Sequence, residues 1–354
     1  MKRALLLLLA LGSCSKKPPE VRDAGVAPAI DAGPPPVVSI VTLPEAGFRL
    51  AWISEASGAP QVVVDGVPLT RGPEANYLAA VQRDGVWVTQ SANQLERVAF
   101  VSFDGGVRVV SAPSSRARSV ATNGSVTVFE SGEGGVMSNL ARVDGGFLVS
   151  DETGSFEPSI SSDGKWMAFV SSRDGDAEIY RAKSDGSEQQ RLTAFHLDDL
   201  SPRISPDGKW IVFISNRERQ DRLFLIKPDG RGTKRLHDDD VSDSRWDAGT
   251  WEAGEADAVW APDSKSVVFS ARGAGGYWHL WRADVASGKR ERLTDGAWDD
   301  QLPSISADGK SIAFLSTRDG NAEIYVLREG ALLRVTRNET ADWKPLWLPA
   351  GTAL

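Results

Sequence analysis

The chain has 354 residues, of which 41% are hydrophobic and 25% charged, and its formal net charge at pH 7 is −8. This composition is typical of a folded globular protein, and the length suits one large β domain or two medium ones. The negative charge argues against nucleic acid and anionic lipid surfaces as partners.

The N-terminus predicts a secretory signal peptide over residues 1–13. Lys2 and Arg3 are followed by an apolar run over 4–11, which is far shorter than the roughly 20 residues of a membrane-spanning helix. Leu-Gly-Ser-Cys at 11–14 resembles a lipobox, which implies lipidation of Cys14 and a membrane anchor. Ordinary secretion is the alternative. Cys14 is the only cysteine, so no internal disulfide is expected.

Residues 14–45 predict a lipidated cysteine followed by a disordered tether. The segment is rich in Pro, Ala, Gly and Val, as in Gly-Pro-Pro-Pro at 33–36, and it shows no apolar period. Such a composition does not bury enough apolar surface to fold alone. The folded domain is therefore expected over residues 46–354.

An internal repeat dominates the rest of the chain. Ser-x-Asp-Gly-Lys occurs at 161–165, 205–209 and 306–310, and a looser copy lies at 260–270. Each copy predicts four strands. The first ends at the Asp-Gly turn, the second is apolar, the third surrounds Glu-Ile-Tyr or its equivalent, and the fourth lies near Arg-Leu-Thr.

The spacing of the repeats predicts an all-β, seven-bladed β-propeller, with six blades as the alternative. Turns at 84, 124, 163, 207, 263 and 308 are 40, 39, 44, 56 and 45 residues apart. Four-stranded units of about 40 to 45 residues are the period of a propeller blade. The run 345–351 matches 303–309, and 50–54 matches 312–316. The C-terminal strand is therefore expected to complete the blade that the N-terminal part begins.

Two segments resemble the WD40-like repeat of TolB-type propellers: Ser-Pro-Asp-Gly-Lys-Trp-Ile-Val-Phe at 205–213 and Ser-Thr-Arg-Asp-Gly-Asn-Ala-Glu-Ile-Tyr at 316–325. The resemblance covers about 158–348 well and 48–157 weakly. It implies an envelope-facing propeller that binds other proteins, without naming the partner. The chain is expected to depart from TolB-type proteins, because a tether and a lipid anchor are predicted where the family has an α/β domain ahead of the propeller.

No motif of the sequence predicts catalysis. The nucleophile elbow Gly-x-Ser-x-Gly does not occur, and the three histidines have no metal-ligand spacing. The three are His196, His237 and His279. No catalytic residue, cofactor or metal is therefore expected.

Four acidic residues stand three positions before the proline of the inner strand, or before its equivalent: Asp199, Glu255, Asp300 and Asp342. Because the inner strands line the channel, these carboxylates are candidate ligands for a cation or a basic peptide at its mouth. The alternative is that they accept hydrogen bonds inside the blade motif. Arg173, Arg217 and Arg318 recur after the second strand and are expected to be structural, bonded to a loop or to a carboxylate of an adjacent blade.

The longest interval between turns contains an insertion of about 12 residues within 237–254. Added length on a rigid scaffold often carries binding, and Trp246 and Trp251 are candidate anchors for a partner. The alternative is that both rings pack over the blade edge. The other tryptophans at repeated positions are expected to pack between blades: Trp52, Trp166, Trp210, Trp260 and Trp347.

Together these features predict a non-catalytic, monomeric envelope lipoprotein that serves as a protein-binding platform. Ser15, rather than Asp, follows Cys14, and by resemblance to the sorting rule of enteric bacteria this implies the outer membrane, with the propeller facing the periplasm or the cell surface. The alternative function is a cation-dependent enzyme that binds a carbohydrate or small molecule at the acidic channel mouth.

Overall fold

The structure, a computed structural model, describes residues 39–40, 49–112, 117–132, 138–218, 220–237, 254–272, 275–350 and 352. Regular secondary structure in these ranges consists of strands, and none of the described residues forms a helix that is long and apolar enough to cross a membrane. The predictions for Cys14, Trp246 and Trp251 lie outside the described residues, as does most of the predicted tether.

The described strands are numbered in chain order. The first fourteen are β1 (Ser39–Ile40), β2 (Leu50–Ser54), β3 (Gln61–Val64), β4 (Val67–Pro68), β5 (Ala75–Gln82), β6 (Gly85–Ala92), β7 (Leu95–Ser102), β8 (Val107–Val109), β9 (Ala117–Thr122), β10 (Thr127–Ser131), β11 (Asn139–Arg142), β12 (Gly145–Val149), β13 (Ser155–Ile160) and β14 (Trp166–Ser171). The others are β15 (Glu178–Lys183), β16 (Gln190–Arg191), β17 (Asp199–Ile204), β18 (Ile211–Ser215), β19 (Arg222–Ile226), β20 (Lys234–Arg235), β21 (Glu255–Trp260), β22 (Ser266–Arg272), β23 (Trp278–Asp284), β24 (Arg290–Arg292), β25 (Asp300–Ile305), β26 (Ser311–Ser316), β27 (Glu323–Arg328), β28 (Ala331–Arg334) and β29 (Asp342–Trp347).

These strands form seven sheets, which confirms the prediction of a seven-bladed propeller. Blade 1 contains β29, β2, β3 and β4 in that order. Blades 2 to 6 take the next strands in consecutive groups of four, from β5–β8 to β21–β24, and blade 7 contains β25–β28 with β1 added. Within each four-strand blade the neighbouring strands are antiparallel, as expected for short meanders joined by tight turns.

The predicted Asp-Gly turns join the first and second strands of the three Ser-x-Asp-Gly-Lys copies. In blade 4, Ser161 Oγ donates to Asp163 Oδ1 at 2.7 Å, and the Lys165 N–H donates to the same oxygen at 3.1 Å. Gly164 has φ of 68°, which a side chain would disfavour. The same bonds recur at Asp207 and Asp308. The repeated sequence therefore forms a turn that is stabilised by hydrogen bonds among its own residues.

Blade 1 combines strands from the two ends of the folded chain. β29 is antiparallel to β2, with Leu50 opposite Trp347 and Ser54 opposite Asp342. The first strand of every sheet contacts the first strand of the next sheet, and β29 also contacts β5 of blade 2. These first strands therefore line a central channel, and each begins at the end of the propeller that carries the loops between blades.

The core consists of clusters that lie between neighbouring blades. Val212 and Leu225 of blade 5 pack with Val267 and Phe269 of blade 6, for example. The tryptophans predicted to pack between blades all join such clusters: Trp52 and Trp347 between blades 7 and 1, Trp166 between 4 and 5, and Trp210 and Trp260 between 5 and 6. Each blade is thus covered on both faces, which explains its nearly continuous apolar second strand.

One strand lies inside the predicted tether. Ser39 and Ile40 form β1, which pairs in parallel with Leu333 and Arg334 of β28 at the outer edge of blade 7. Sequence analysis assigned these two residues to a disordered segment because they lack an apolar pattern. An unpaired strand edge offers backbone donors and acceptors to any extended segment, so the pairing does not need such a pattern.

Candidate functional site

The four acidic residues predicted at the channel mouth open the inner strands of four successive blades. Asp199, Glu255, Asp300 and Asp342 are the first residues of β17, β21, β25 and β29. All four are buried, with at most 1% of the residue exposed. The structure thus places them at one end of the propeller, but within its packing and not on its surface. Their role in binding a cation or a peptide stays a prediction.

Asp199 and Asp300 form ion pairs with the repeated arginines of the same blades. Arg217 Nη2 donates to the two Asp199 carboxylate oxygens at 3.0 and 3.2 Å, and Arg318 Nη2 does the same to Asp300. Each arginine also donates from Nε to a serine of the second strand, at 2.7 Å to Ser215 for Arg217. The structural role predicted for these arginines is confirmed, although the carboxylate belongs to the same blade and not to an adjacent one.

Aromatic rings hold these guanidinium groups in place. Arg217 lies over Phe224 at 4.5 Å and over Phe195 at 5.0 Å, while Arg318 lies over Tyr325 at 4.7 Å and over Trp298 at 5.1 Å. A planar guanidinium suits both a carboxylate at its edge and a ring at its face. The end of the propeller is therefore stiffened by one such stack in each of blades 5 and 7.

Blade 4 builds a related contact from different residues. Ser155 stands where blades 5 and 7 have the aspartate, and its hydroxyl donates to Asp151 Oδ2 at 2.5 Å. Arg173 Nη2 donates to the same oxygen at 3.3 Å, and Arg173 Nε donates to Ser171 at 2.9 Å. The arginine thus keeps its carboxylate partner although the position of the acid has moved by four residues.

Asp342 of blade 1 accepts a hydrogen bond instead of an ion pair. Asn338 Nδ2 donates to Asp342 Oδ2 at 2.6 Å. Burial raises the pKa of Asp342 above its ordinary value, and nearby hydroxyl and amide donors oppose this effect. The pKa of Asp300 is also raised by burial, with the charge of Arg318 acting in the opposite direction.

Glu255 follows residues 238–253 and contacts His237, which precedes them. His237 Nε2 and Glu255 Oε1 lie 2.9 Å apart, the Leu223 N–H donates to Glu255 Oε2 at 2.7 Å, and Arg222 Nη1 lies 3.4 Å from Oε1. His237 stacks on Phe269 at 5.5 Å. Burial raises the pKa of Glu255, but the hydrogen bond and charge of His237, with Arg222, outweigh it and leave that pKa below its ordinary value. The described chain before and after residues 238–253 is therefore joined by a buried polar contact.

A second buried carboxylate recurs at the start of the third strand, which sequence analysis did not single out. Glu178 accepts from Arg191 Nη2 and from the Phe195 N–H, both at 2.6 Å, and Glu323 accepts from Arg334 Nη2 at 3.2 Å. In blade 6 His279 occupies this place. The signal was present in the repeated Glu-Ile-Tyr, but the partners lie 11 to 17 residues away and no periodic pattern identifies them.

The channel wall contains a repeated irregularity. Six inner strands each hold one residue other than glycine with φ of 52° to 54°: Ser119, Glu157, Ser201, Asp257, Leu302 and Lys344. The strand register shifts at the same places. A bulge of this kind re-aims a side chain, and left-handed backbone of this kind costs of order 1 to 3 kcal/mol. Sequence analysis missed these residues because nothing in their types predicts left-handed backbone.

Charged side chains from the inner strands of three blades influence the pKa values of Lys344 and Asp257. Burial and the positive charge of Arg203 together lower the pKa of Lys344 to about 8, with the charge of Asp257 acting in the opposite direction. Burial raises the pKa of Asp257, and donors including the Leu302 N–H and the Ser270 hydroxyl oppose this effect. These residues belong to β29, β17 and β21, three of the inner strands.

Within the described ranges, no group of three or more His, Cys, Asp or Glu side chains is arranged to hold a metal ion.

Residues 147–247 match the family described as the TolB β-propeller domain. An uncharacterised protein of Agrobacterium fabrum, Atu1656, is 36% identical over 94 residues, which cover 26% of this chain and 32% of that relative. The chain thus matches about a third of the length of this curated relative.

Solved structures share the propeller fold at low sequence identity. TolB from Acinetobacter baumannii has a TM-score of 0.54 at 20% identity, with 85% of this chain and 67% of that chain covered. An oligogalacturonate lyase in complex with manganese has a TM-score of 0.60 at 14% identity, covering 82% and 88%. A puromycin-hydrolyzing peptidase of Mycobacterium tuberculosis has a TM-score of 0.59 at 15% identity, covering 76% and 46%. At these identities the likeness shows the fold alone. The predicted resemblance to TolB-type propellers is confirmed at that level.

Proposed function

We propose that this TolB-like propeller is a non-catalytic binding platform of the bacterial cell envelope. Lipid on Cys14 holds the chain to the outer membrane, the segment after it gives reach, and the monomeric propeller docks another envelope protein. The resemblance to TolB-type propellers supports this location. One structural observation carries the docking role: the bond between His237 and Glu255, both buried, fixes the two ends of the longest connection between blades.

The fixed stem makes residues 238–253 the best candidate for the docking element. Binding segments commonly extend from a rigid scaffold, and a segment whose ends are already held loses less conformational entropy on binding. Trp246 and Trp251 lie in this segment. Tryptophan is among the residues that carry most of the binding energy in protein interfaces.

The contacts of the acidic residues favour this platform over the alternative of a cation-dependent enzyme acting on a carbohydrate or small molecule. The lyase with a similar fold binds manganese, which is the reason to consider that alternative. Here Asp199 and Asp300 are already neutralised by Arg217 and Arg318 in buried ion pairs. A cation that took these carboxylates would leave two partly buried guanidinium groups without their partners, which is unfavourable.

Cross-linking in the native envelope, followed by identification of the captured proteins, tests the docking role. The double variant Trp246→Ala/Trp251→Ala should lose the partner that the unmodified chain captures. Phe147→Ala is the matched control, because it removes an aromatic ring that is 48% exposed on β12 of blade 3, outside the insertion. An unchanged set of partners in the double variant would sink the docking hypothesis.

The anchor is tested separately with Cys14→Ser. This variant should leave the membrane fraction and keep the melting temperature of the unmodified propeller, because the lipid would be lost and the fold kept. Retention in the membrane fraction at the unmodified level would contradict lipidation at Cys14.

The enzyme alternative is tested by melting the protein with Ca²⁺ or Mn²⁺. The platform proposal expects no stabilisation by either ion. A stoichiometric ion that raises the melting temperature, with the increase lost in Asp300→Ala, would favour the alternative.

A further inference from the structure

We propose that the outer edge of blade 2, formed by β8 (Val107–Val109), is a second interaction surface that takes up an extended, uncharged apolar segment of another protein as a fifth strand. Side chains on one face of the added strand enter the groove between blades 1 and 2. This surface lies on a different blade from the insertion, so it goes beyond the docking role proposed above.

The backbone of β8 has hydrogen-bonding groups that point away from its own sheet. Just beyond β8, the Val110 N–H donates to the Val98 carbonyl oxygen at 3.0 Å. Bonded and unbonded pairs alternate along an antiparallel ladder, so Val109 and Val107 fall in unbonded pairs with β7. Their two N–H and two C=O groups therefore face the open edge. Among the described residues no strand pairs with this side of β8.

The other uncovered outer edges carry features that discourage strand addition. β4 is two residues long and contains Pro68, and the register of β12 with β11 shifts at two places. β16 and β20 are two residues long and carry arginine or lysine, and β24 is Arg-Glu-Arg. Short length, proline, irregular register and charge all oppose pairing at an edge.

β8 lacks most of this protection. It pairs with β7 in regular register and has valine at both of the positions whose backbone groups face outward. The one charged residue of β8 is Arg108, whose side chain alternates with the valines and lies over the Trp87 ring at 6.0 Å. Trp87 belongs to the cluster between blades 2 and 3, so this charge lies on the face of blade 2 away from blade 1.

Blade 7 has a comparable outer edge, and there an extended segment covers it. Its outer strand β28 is Ala-Leu-Leu-Arg, with no proline and no shift of register against β27. Ser39 and Ile40 pair with this strand in parallel as β1. Two residues in extended conformation are thus enough to form a fifth strand at an edge of this propeller. The same type of occupant fits the uncovered edge of β8.

The groove beside β8 offers space for the side chains of such a segment. It has a volume of about 700 Å³ and lies between the outer parts of blades 1 and 2. Apolar residues line it, among them Val64, Leu69, Val101 and Phe103, and Val107 on its rim is 58% exposed. Alternate residues of an added strand point to the same side and can occupy such a groove. An exposed apolar surface beside an unpaired edge is typical of an interaction site.

The charges that line the groove favour an uncharged segment. Arg71 and Asp104 carry opposite single charges, and Glu74 is paired with Arg97 at 2.9 Å. A segment with a strong charge of either sign therefore gains no net attraction from the groove. Valine, isoleucine and threonine suit both the apolar lining and the strand conformation.

Hydrogen exchange and peptide titration of the full chain test this surface. In the free chain, the amides of Val107 and Val109 should exchange faster by NMR than that of Arg108, which is bonded to β7. The probe is a fluorescently labelled acetyl-Gly-Val-Thr-Val-Thr-Val-Gly-amide. The control peptide has the same sequence with N-methyl groups on its five central residues, which removes the backbone donors and keeps the side chains.

One probe should bind per chain and slow the exchange of the Val107 and Val109 amides. The N-methylated peptide should bind about 10-fold more weakly or not at all, because several backbone hydrogen bonds are lost. Absence of probe binding, or equal binding of the N-methylated peptide, would overturn the proposal.

The variant Val109→Pro assigns the binding to β8. Proline removes only the outward N–H, and Pro68 already stands at such a position in β4, because the neighbouring Leu69 N–H donates to the Val62 carbonyl oxygen at 2.8 Å. Val109→Pro should weaken probe binding about 5-fold or more, and the control Val109→Thr, which keeps the N–H, should bind as the unmodified chain does. Val107→Lys, at an exposed position, should also weaken binding without lowering the melting temperature. Unchanged binding in Val109→Pro and Val107→Lys would contradict the assignment.

Sedimentation of the unmodified chain tests the choice of occupant. A monomer across the concentration range agrees with an edge that is kept for another protein. A dimer that Val109→Pro abolishes would show that a second copy of the chain occupies the edge, and the proposed partner would be wrong.

Discussion

Arg318 and Asp300 form a closed unit: the Arg318 guanidinium donates to both oxygens of a carboxylate that is fully buried, while its face lies 4.7 Å from the Tyr325 ring. The acid was predicted as a ligand at the channel mouth and the arginine as a structural residue. Because the two side chains bond to each other, Asp300 takes part in the structural contact that was predicted for Arg318.

Arg318→Met should lower the free energy of unfolding by about 3 to 5 kcal/mol, because it leaves the buried charge of Asp300 without compensation. Arg142→Met is the control. Arg142 pairs with Asp144, whose side chain is 63% exposed, and its loss should cost no more than about 1 kcal/mol. Urea unfolding of the two variants measures both values. Equal, small losses would show that the Asp300 pair does not stabilise the blade.

His279 should make stability fall in mild acid. Burial, with the charge of Arg292, lowers its pKa to about 4 from an ordinary 6.5. Between these two values the unfolded chain binds more protons than the folded chain, so stability is complete above about pH 6.5 and declines towards pH 4.

The variant His279→Gln should remove part of this decline. Gln61 occupies the same place in blade 1 and accepts from the Thr70 hydroxyl at 2.8 Å, so the blade accommodates glutamine there. The measurement is the difference in urea midpoint between about pH 7 and about pH 5. If that difference is the same in the variant and the unmodified chain, His279 is not the group responsible.

Lys344 should have the opposite effect in alkali. With its pKa lowered to about 8, the folded chain releases this proton before the unfolded chain does, whose lysine titrates near 10.5. Stability should therefore rise through this window, and Lys344→Met should flatten the rise and be more stable at neutral pH. Lys310→Met, at an exposed turn, should keep the slope of the unmodified chain. A Lys344→Met variant with the unmodified slope would contradict this account.

Contact between blades 3 and 4 is tested at Gly186. A Cβ there would lie 2.2 Å from the Leu148 carbonyl oxygen, whereas at Gly330 in blade 7 nothing lies within 4 Å. Both residues have nearly the same φ, 83° and 81°. Alanine should therefore introduce the same backbone strain, about 1 to 2 kcal/mol, at each position. Gly186→Ala should cost at least about 1 kcal/mol more than Gly330→Ala in thermal unfolding. Equal losses would mean that the blades separate to make room.

Much of the architecture was predictable because each blade is specified locally. The Ser-x-Asp-Gly-Lys turns, the apolar second strands and the tryptophans between blades all lie where their spacing predicts, and Leu50 lies opposite Trp347 as the matched ends of the repeat indicate. β1 was not predicted, because its pairing with β28 depends on a free edge and not on a pattern of its own.

The candidate site was less predictable than the fold. Asp199 and Asp300 begin inner strands, as their place before the strand proline predicts. Their burial was not predictable, because each carboxylate is covered by an arginine that lies 18 residues later in the chain. Asp257, Arg203 and Lys344 have no shared motif. Only the arrangement of the inner strands brings them towards one channel.

By itself the sequence determined the repeat and its four strands, and it predicted seven blades with six as the alternative, because turn chemistry and apolar runs act between residues close together in the chain. The tertiary structure decided which charges are matched, because ion pairing depends on distances between side chains that no local pattern encodes. Asp300 is neutralised in this way by Arg318, which lies 18 residues along the chain.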